Sequence, residues 1–515
     1  MYDVIVVGGG SAGAAAAGRL SENPARRVLL LEAGADWRAQ DAPAAMRSPN
    51  IIPFMHDPVH QAAWQWPGLM ARRTRVQAPA YYWRGRALGG SSTVNAQIAI
   101  RGVAAAFDDW AEAGCEGWAA ADVLPIFDAM EDDPEAGRPG GAIPVYRAPQ
   151  AAWGAVDQAL RDAALALGYP WNPDLNAPTG EGVSCYPINL RDGRRISTNE
   201  AFLEPARNRK NLEIRGGALV DRVIVQDGRA TAVRVKLPDQ DWTDIAGREI
   251  LLCAGAVHSP AILLRSGIGP AAELADLGIP VLRDLPAVGR HFMDHPILRA
   301  TLALRPEAVA QGAAARHTNC CVTYSSGMGG IRDMILIAFN HRGLTANSMP
   351  GATGAIGVAL YEAFSRGSVR LASPVAEANP VIEENMLDDP RDRRRMRDGV
   401  RRLAALVGQQ PVRGIAEDIV FGDTSLTLAQ AAALPEAELD ALMLAQAGDI
   451  QHAAGSCRMT AYEDPRGVVD PDLRVKTIAG LRVADASVMP SDCRANLHFT
   501  CVMIGLMAAR LLDHG

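Results

Sequence analysis

Cysteine is scarce in this chain, eight in 515 residues, at positions 115, 185, 253, 320, 321, 457, 493 and 501. None falls in a Cys-x-x-Cys pair, and most sit inside apolar runs, where a reduced thiol behaves as a small hydrophobe, so a disulfide scaffold and a cysteine zinc site are both excluded. Lysine is scarcer still, present only as Lys210, Lys236 and Lys476. Arginine makes up the rest of 51 basic residues against 58 acidic ones, and no basic run interleaved with aromatics would track a phosphate backbone. With a net charge of -7, nucleic acid is not an expected partner. The longest apolar stretch, Leu497 to Ala509, is ~13 residues against the ~20 needed to span a bilayer, so no transmembrane segment is expected. The amino terminus lacks the basic start and small-residue cleavage site of a secretory signal, which makes the cytoplasm the default location. No set of His, Asp and Glu has metal-ligand spacing, and no metal is expected.

What the chain does have is apolar material: 48% of residues are hydrophobic and 21% charged, enough for a large core in a chain ~3 times the size of one ~150-residue domain. Tyr2 to Val7 reads as a buried strand, Ser11 to Leu20 as a small-residue helix and Val28 to Leu31 as the next strand, a βαβ unit of ~30 residues that starts a doubly wound sheet. Few regular signals follow over 37–84, then a glycine-rich loop over 85–102 and a Trp-rich helical stretch ending near Asp133, with a boundary at Gly137 to Gly141. One helix is read over Trp153 to Leu167. Short strands are read over Asn211 to Val235, turned by Gln226-Asp227-Gly228, and a buried strand over Glu249 to Cys253. Met334 to Phe339, Ile356 to Tyr361 and Ser368 to Leu371 read as strands of a second, antiparallel sheet. Residues 391–446 read as helical, with Arg391 to Arg402 a solvated face, and Leu481 to Ala484 returns to strand. The pattern predicts a nucleotide-binding domain assembled from 1–135, 195–293 and 449–515, with a second domain from 136–194 and 294–448 inserted into it.

Gly8-Gly9-Gly10-Ser11-Ala12-Gly13 follows a strand and opens a helix, and Glu32 ends the next strand. Gly8 permits a tight turn, Gly10 lets a pyrophosphate approach the positive helix end, Gly13 lets helix and strand pack closely, and Glu32 can accept hydrogen bonds from a ribose diol. This fingerprint does not separate NAD from FAD. Gly85-Arg86-Ala87-Leu88-Gly89-Gly90-Ser91-Ser92-Thr93-Val94-Asn95, continuing to Asp108, is a glycine and hydroxyl loop suited to laying backbone amides along a planar ring. Gly255 to Gly269 is a strand exit leading into a helix. Asp485 ends the strand at Leu481 to Ala484, where it can bind a polyol hydroxyl. The helix starting near His498 to Thr500 would aim its positive end toward the same cofactor.

On the 85–108 and 255–269 segments the chain resembles the glucose-methanol-choline (GMC) oxidoreductases, flavoproteins that oxidise alcohols. Gly117-Trp118, Val123-Leu124-Pro125, Val288 to Pro296, Ser365 to Ser368 and Val469-Asp470-Pro471 also look like family landmarks, and departures concentrate over 297–363. The resemblance implies an α/β, Rossmann-like FAD-binding domain with an inserted α+β substrate domain on an antiparallel sheet. It implies cofactor contacts from Gly8, Gly10, Ser11, Ala12, Gly13, Glu32, Ala33, Arg86, Leu88, Gly89, Gly90, Ser91, Asn95, Ala96, Val220, Ala254, Gly255, Asp485, Ala486 and Asn496. Some relatives bind flavin covalently through a histidine in the first signature; Val94 stands there, so the FAD is expected to be noncovalent. Gln451-His452-Ala453-Ala454-Gly455-Ser456-Cys457-Arg458-Met459 resembles the family's active-site histidine segment, which makes His452 the implied base; an unperturbed pKa near 6.5 suits that task. Asn496 falls at the second family position and would orient the alcohol oxygen. His498, His291, His295 and His258 are secondary candidates, His291 and His295 as members of a turn. The implied reaction oxidises a primary or secondary alcohol, with electrons passed to O2 or a quinone-type acceptor. Rivals are a hydroxynitrile lyase or a fatty-acid photodecarboxylase on the same fold, and an NAD-dependent dehydrogenase.

Overall fold

The computed structural model describes residues 1–50, 57–178, 180–310, 315–341 and 353–514. The elements that frame the site, in chain order, begin with β1 (Tyr2–Val7), α1 (Ser11–Leu20), β2 (Val28–Leu31), α2 (Ala155–Ala166), β3 (Gly182–Cys185), β4 (Leu212–Arg215), β5 (Leu219–Gln226), β6 (Arg229–Lys236), β7 (Thr243–Leu252) and α3 (Gly255–Arg265). Then come β8 (Pro296–Leu304), β9 (Cys320–Tyr324), β10 (Met334–Phe339), β11 (Thr353–Leu360), α4 (Pro390–Val407), β12 (Ala416–Phe421), β13 (Gly448–Asp449), β14 (Leu481–Val483) and α5 (Leu497–His514).

Val4 to Val7 and Val28 to Leu31 are buried on both faces, which an unbroken apolar strand requires and a parallel sheet covered by helices provides. That sheet runs β4-β2-β1-β7-β14, all parallel, so the amino-terminal, middle and carboxy-terminal parts of the chain meet in one layer. The first half of β7 leaves the parallel layer to pair antiparallel with β6, which pairs with β5 through the Gln226/Arg229 hairpin. On one side α1 lies against α5 so closely that a Cβ on Gly505 would stand 2.2 Å from the Ala12 carbonyl oxygen.

The second sheet is antiparallel throughout, in the order β12-β8-β11-β10-β9-β3, with β13 on the other end of β8. Strand periodicity divides its residues between two cores. Leu298, Leu302, Leu336, Ala338, Val358 and Leu360 pack with α2 and α4, while Ile297, Ile335, Ile337, Ala359 and, just past β11, Tyr361 belong to the core shared with the parallel sheet. The functional site lies on that shared side.

Three expectations need correcting. Ser368–Arg370 is a strand, but it belongs to a small four-stranded sheet with Val381–Glu383, Met70–Arg72 and Ala80–Tyr81, drawing order from the stretch at 37–84 that gave few signals. The stretch 391–446 is not helical throughout: β12 interrupts it and pairs with β8. Nor is the arginine run wholly solvated. Arg395 is fully buried and donates to Asp333, Asp392 and the Glu362 carbonyl, because an inward guanidinium must find its acceptors inside. Part of the stretch 297–363, namely 311–314 and 342–352, lies outside the described residues. No helix among the described residues is long and apolar enough to cross a membrane, and no metal-binding cluster occurs among them.

Candidate active site

The β1–α1 turn carries the strongest constraints. Gly8 has φ +100°, and a Cβ there would lie 2.5 Å from the Cys253 carbonyl oxygen; a Cβ on Gly13 would lie 1.9 Å from the Gly8 carbonyl oxygen. Only glycine lets this turn close onto β7 and the helix onto the turn. Gly10 is open by contrast, its nearest neighbour being the Gly90 Cα at 3.8 Å from an added Cβ. The first turn of α1 has no acidic residue and no side-chain cap, leaving its N–H groups and partial positive charge available to an anion. Glu32 is held by the backbone N–H groups of Gly9 and Gly34, each donating over 2.8 Å, one to each carboxylate oxygen. Burial raises its pKa and these two donors resist the rise. Further lone pairs remain on both oxygens for ribose hydroxyls.

A cavity of ≈ 390 Å³ opens beside this turn. Of the residues expected to bind cofactor, Gly8, Gly10, Ser11, Ala12, Glu32, Ala33, Gly90, Ser91, Asn95, Ala96, Val220, Ala254, Gly255, Asp485, Ala486 and Asn496 line it, as do Val94 and His452. Gly13, Arg86, Leu88 and Gly89 do not, and act from behind: the Gly89 N–H donates to the Gly9 carbonyl over 2.8 Å, Leu88 packs under Gly9, and the Arg86 guanidinium lies 5.0 Å over the Trp66 ring. Trp66 faces the cavity and stacks on His258 at 3.8 Å, and burial takes the His258 pKa down to about 3. Asp485 accepts from the Gly255 N–H, the Ser259 hydroxyl and the Ser487 N–H, so besides facing the cavity it ties the end of β14 to the start of α3.

At the cavity wall nearest the second sheet, the Asn496 amide nitrogen lies 3.0 Å from His452 Nε2, and Asn496 Oδ1 accepts from the Tyr361 hydroxyl at 2.8 Å. Behind them His452 Nδ1 meets His295 Nδ1 at 2.9 Å, and His295 Nε2 meets Asp492 Oδ1 at 3.1 Å. Asp294 accepts from the backbone N–H groups of both His295 and His452 at 2.7 Å, and from the Tyr82 hydroxyl. His452 is buried, and burial, with lesser effects from His295 and Arg84, pushes its pKa well below the ordinary value. His498 is elsewhere: its Nδ1 pairs with the Ser11 hydroxyl at 3.0 Å, beside the β1–α1 turn, and burial takes its pKa to about 4. His291 adopts φ +58° in the turn before β8.

Sequence reasoning missed Tyr361, Asp294 and Asp492, and it left His295 in a turn although its ring is buried against His452. Period-two alternation carried a signal for Tyr361, which continues the Gly357, Ala359 series on the cavity side of β11. For Asp492 no local pattern existed, because its partner is 197 residues away in sequence.

The buried acid fixed by two backbone donors, the uncapped helix start and a cavity lined by both and by His452 fit a flavin dinucleotide. Residues 2–297 and 363–505 match the two sequence profiles described as GMC oxidoreductase, and the chain belongs to that family. It is an FAD-dependent oxidoreductase acting on CH–OH groups. Similar chains include a 5-(hydroxymethyl)furfural oxidase of Methylovorus sp. (strain MP688), 32% identical over 98% of this chain and 97% of that one. Another is an oxygen-dependent choline dehydrogenase of Sinorhizobium fredii (strain NBRC 101917 / NGR234), 31% identical over 99% of this chain and 95% of that one. Among solved structures, that of pyridoxine 4-oxidase from Mesorbium loti superposes with a TM-score of 0.89 at 29% identity, covering 100% of both chains.

Proposed function

We propose that this protein oxidises a primary or secondary alcohol to the aldehyde or ketone, with His452 as the base and Asn496 as the residue that holds the alcohol oxygen. The observation that carries this reading is the pair itself: a buried imidazole nitrogen and an amide nitrogen 3.0 Å apart on the wall of the cavity lined by the dinucleotide turn. FAD, held by the β1–α1 turn, Glu32 and Asp485, would supply the hydride acceptor and a route for electrons to O2 or a quinone-type carrier, with O2 favoured. His452 takes the hydroxyl proton. The Asn496 amide donates to the alcohol oxygen, with its own oxygen resting on the Tyr361 hydroxyl. Burial of His452 away from bulk water strengthens both interactions.

The same reading assigns FAD binding to 1–135, 195–293 and 449–515, and substrate binding to 136–194 and 294–448. The relatives' names, for 5-(hydroxymethyl)furfural, pyridoxine and choline, make small primary alcohols the first substrates to try. Ile337 and Phe339 on β10, with Tyr186, give the cavity apolar walls that suit a ring. The test is anaerobic mixing of the purified protein with aryl, heteroaryl, aliphatic, polyol and amino alcohols. Loss of flavin absorbance with one class supports alcohol oxidation; turnover of a cyanohydrin without any bleaching would replace it with the lyase reading.

A further inference from the structure

The contacts behind His452 form a directional chain whose protonation states follow from its carboxylate end. Asp492 is a buried carboxylate: Oδ2 accepts the Ala363 backbone N–H at 2.6 Å, and Oδ1 faces His295 Nε2. Burial alone would raise its pKa, but the electrostatic attraction and hydrogen bond between it and the His295 ring, with help from Arg366 and the Ala363 N–H, hold it below the usual carboxylate range. As an acceptor it requires His295 to carry its proton on Nε2. At the far end Asn496 turns its oxygen to the Tyr361 hydroxyl and its amide N–H groups toward His452, which suits a lone pair on His452 Nε2; a hydroxyl can also accept, so this amide follows the imidazole and does not lock it. The carboxylate end therefore sets the middle bond, in which His452 Nδ1–H donates to His295 Nδ1.

We infer that Asp492 and His295 are positioning residues that lock His452 in the tautomer with a bare Nε2 and receive charge from it during the reaction. This rests on the assignment of His452 as the base. When the alcohol proton arrives on His452 Nε2, the proton on Nδ1 can shift to His295 Nδ1. The bond broken is N–H on one ring and the bond formed is N–H on the next, with no change in oxidation state. The excess charge then sits on His295 against the Asp492 carboxylate, while His452 returns to neutral with its proton on Nε2. The other charged and titratable groups around the chain are Asp294, Arg84, Tyr82, Tyr361 and Arg366. Asp294 is engaged by two backbone N–H groups and Tyr82, and Arg84 lies 3.8 Å from it, so neither takes the place of Asp492 on the His295 ring.

Asp492→Asn is a sharp test because the Ala363 N–H cannot turn. The new amide must keep its oxygen there and point its NH2 at His295 Nε2, which reverses every tautomer in the chain and puts the proton of His452 on Nε2. Holoenzyme labelled with 15N at histidine reports this directly, with the His452 signals identified by their loss in His452→Ala. The parent protein should show an unprotonated His452 Nε2 at pH 8 and Asp492→Asn a protonated one. Anaerobic flavin reduction should slow on the order of 10² to 10⁴-fold, the range seen when a general base is lost or its tautomer is wrong. His295→Gln, which offers His452 an acceptor oxygen but cannot take a proton, should keep the tautomer and slow reduction less. A parent His452 protonated on Nε2 overturns the proposal without any variant. So does Asp492→Asn that reduces its flavin at the parent rate. If His452→Ala itself reduced as fast as the parent, the base assignment would fail, and that outcome is distinct from indifference to Asp492.

Discussion

A histidine that serves as base must be neutral and must present the right nitrogen, and at His452 burial secures the first condition. The sequence suggested an ordinary pKa near 6.5; desolvation moves it well below that. For a group whose folded pKa is depressed, the unprotonated, active form persists into acid, so the rate of flavin reduction should stay level on descending through pH 6.5 and fall only at lower pH. His452→Ala should retain its FAD and fold while reduction slows ~10² to 10⁴-fold, roughly 3 to 5 kcal/mol of barrier. Asn496→Ala should lose less, since the base remains, and Asn496→His should be tolerated. Anaerobic stopped-flow at saturating alcohol measures all three; a dead His498→Ala beside an active His452→Ala would move the base to the β1–α1 side of the cavity. At the other end of the site, Glu32→Ala removes a charged acceptor and frees the Gly9 and Gly34 N–H groups, so FAD should bind more weakly by about 1.5 to 3 kcal/mol, roughly 10 to 150-fold in Kd, in a titration of apoprotein. Equal affinity would show that the ribose lies elsewhere. His452 and Asn496 were legible because each sits in a short segment with a family pattern. His295, Tyr361 and Asp492 were not, because their importance exists only where three distant segments converge on one imidazole.

Among elements, those with one clear periodicity were readable and those defined by a neighbour were not. β1, α1, β2 and β10 have the bounds their apolar patterns predict, since each buries a continuous face. β12, Ala-Glu-Asp-Ile-Val-Phe, falls in a stretch whose sequence reads as helical; Glu417 and Asp418 are exposed and only Ala416 and Phe421 are buried, a pattern that makes sense once β8 supplies the strand it pairs with. Charge on such an edge also discourages pairing with another chain. α2 illustrates how an element can depend on one buried polar side chain. Asp157, in its first turn, accepts the backbone N–H groups of Asn319 and Cys320 at 2.8 and 3.0 Å and the side-chain amide of Asn319 at 2.8 Å, pinning the helix to the start of β9. Asp157→Ala strands the two backbone donors in a dry core, each costing about 1 to 3 kcal/mol. The urea midpoint of the holoenzyme should fall accordingly, by about 2 to 6 kcal/mol of stability, while the FAD Kd stays within a few-fold because the dinucleotide turn is untouched. A midpoint equal to the parent's would mean that the segment at 319–320 is held by its strand partners alone.

At the scale of the molecule, the cavity is where the separated parts of the chain are joined. Glu32 comes from the amino-terminal strand pair, Val94 and Asn95 from the first signature loop, Gly255 from the chain's middle, and His452, Asp485 and Asn496 from its last quarter, and all of them line one space. A ligand that touches all of these favours the folded state over every partly opened one. Val94 carries no nucleophile, so the FAD that fills this space should be held by contacts alone: acid precipitation should leave the yellow colour in the supernatant. Noncovalent binding has a thermodynamic consequence that a covalent bond would not have. Stability should depend on free FAD, rising by about 1.4 kcal/mol for each tenfold excess over Kd, so Tm of the purified protein should climb steadily as FAD is added and drop on exhaustive dialysis. Glu32→Ala should show the same slope displaced to higher FAD concentration and starting from a lower Tm, because the freed Gly9 and Gly34 N–H groups weaken the fold itself besides raising Kd. Flavin retained in the acid pellet, with Tm indifferent to added FAD, would mean a covalent link through a residue other than Val94 and would overturn the assignment of that wall of the cavity.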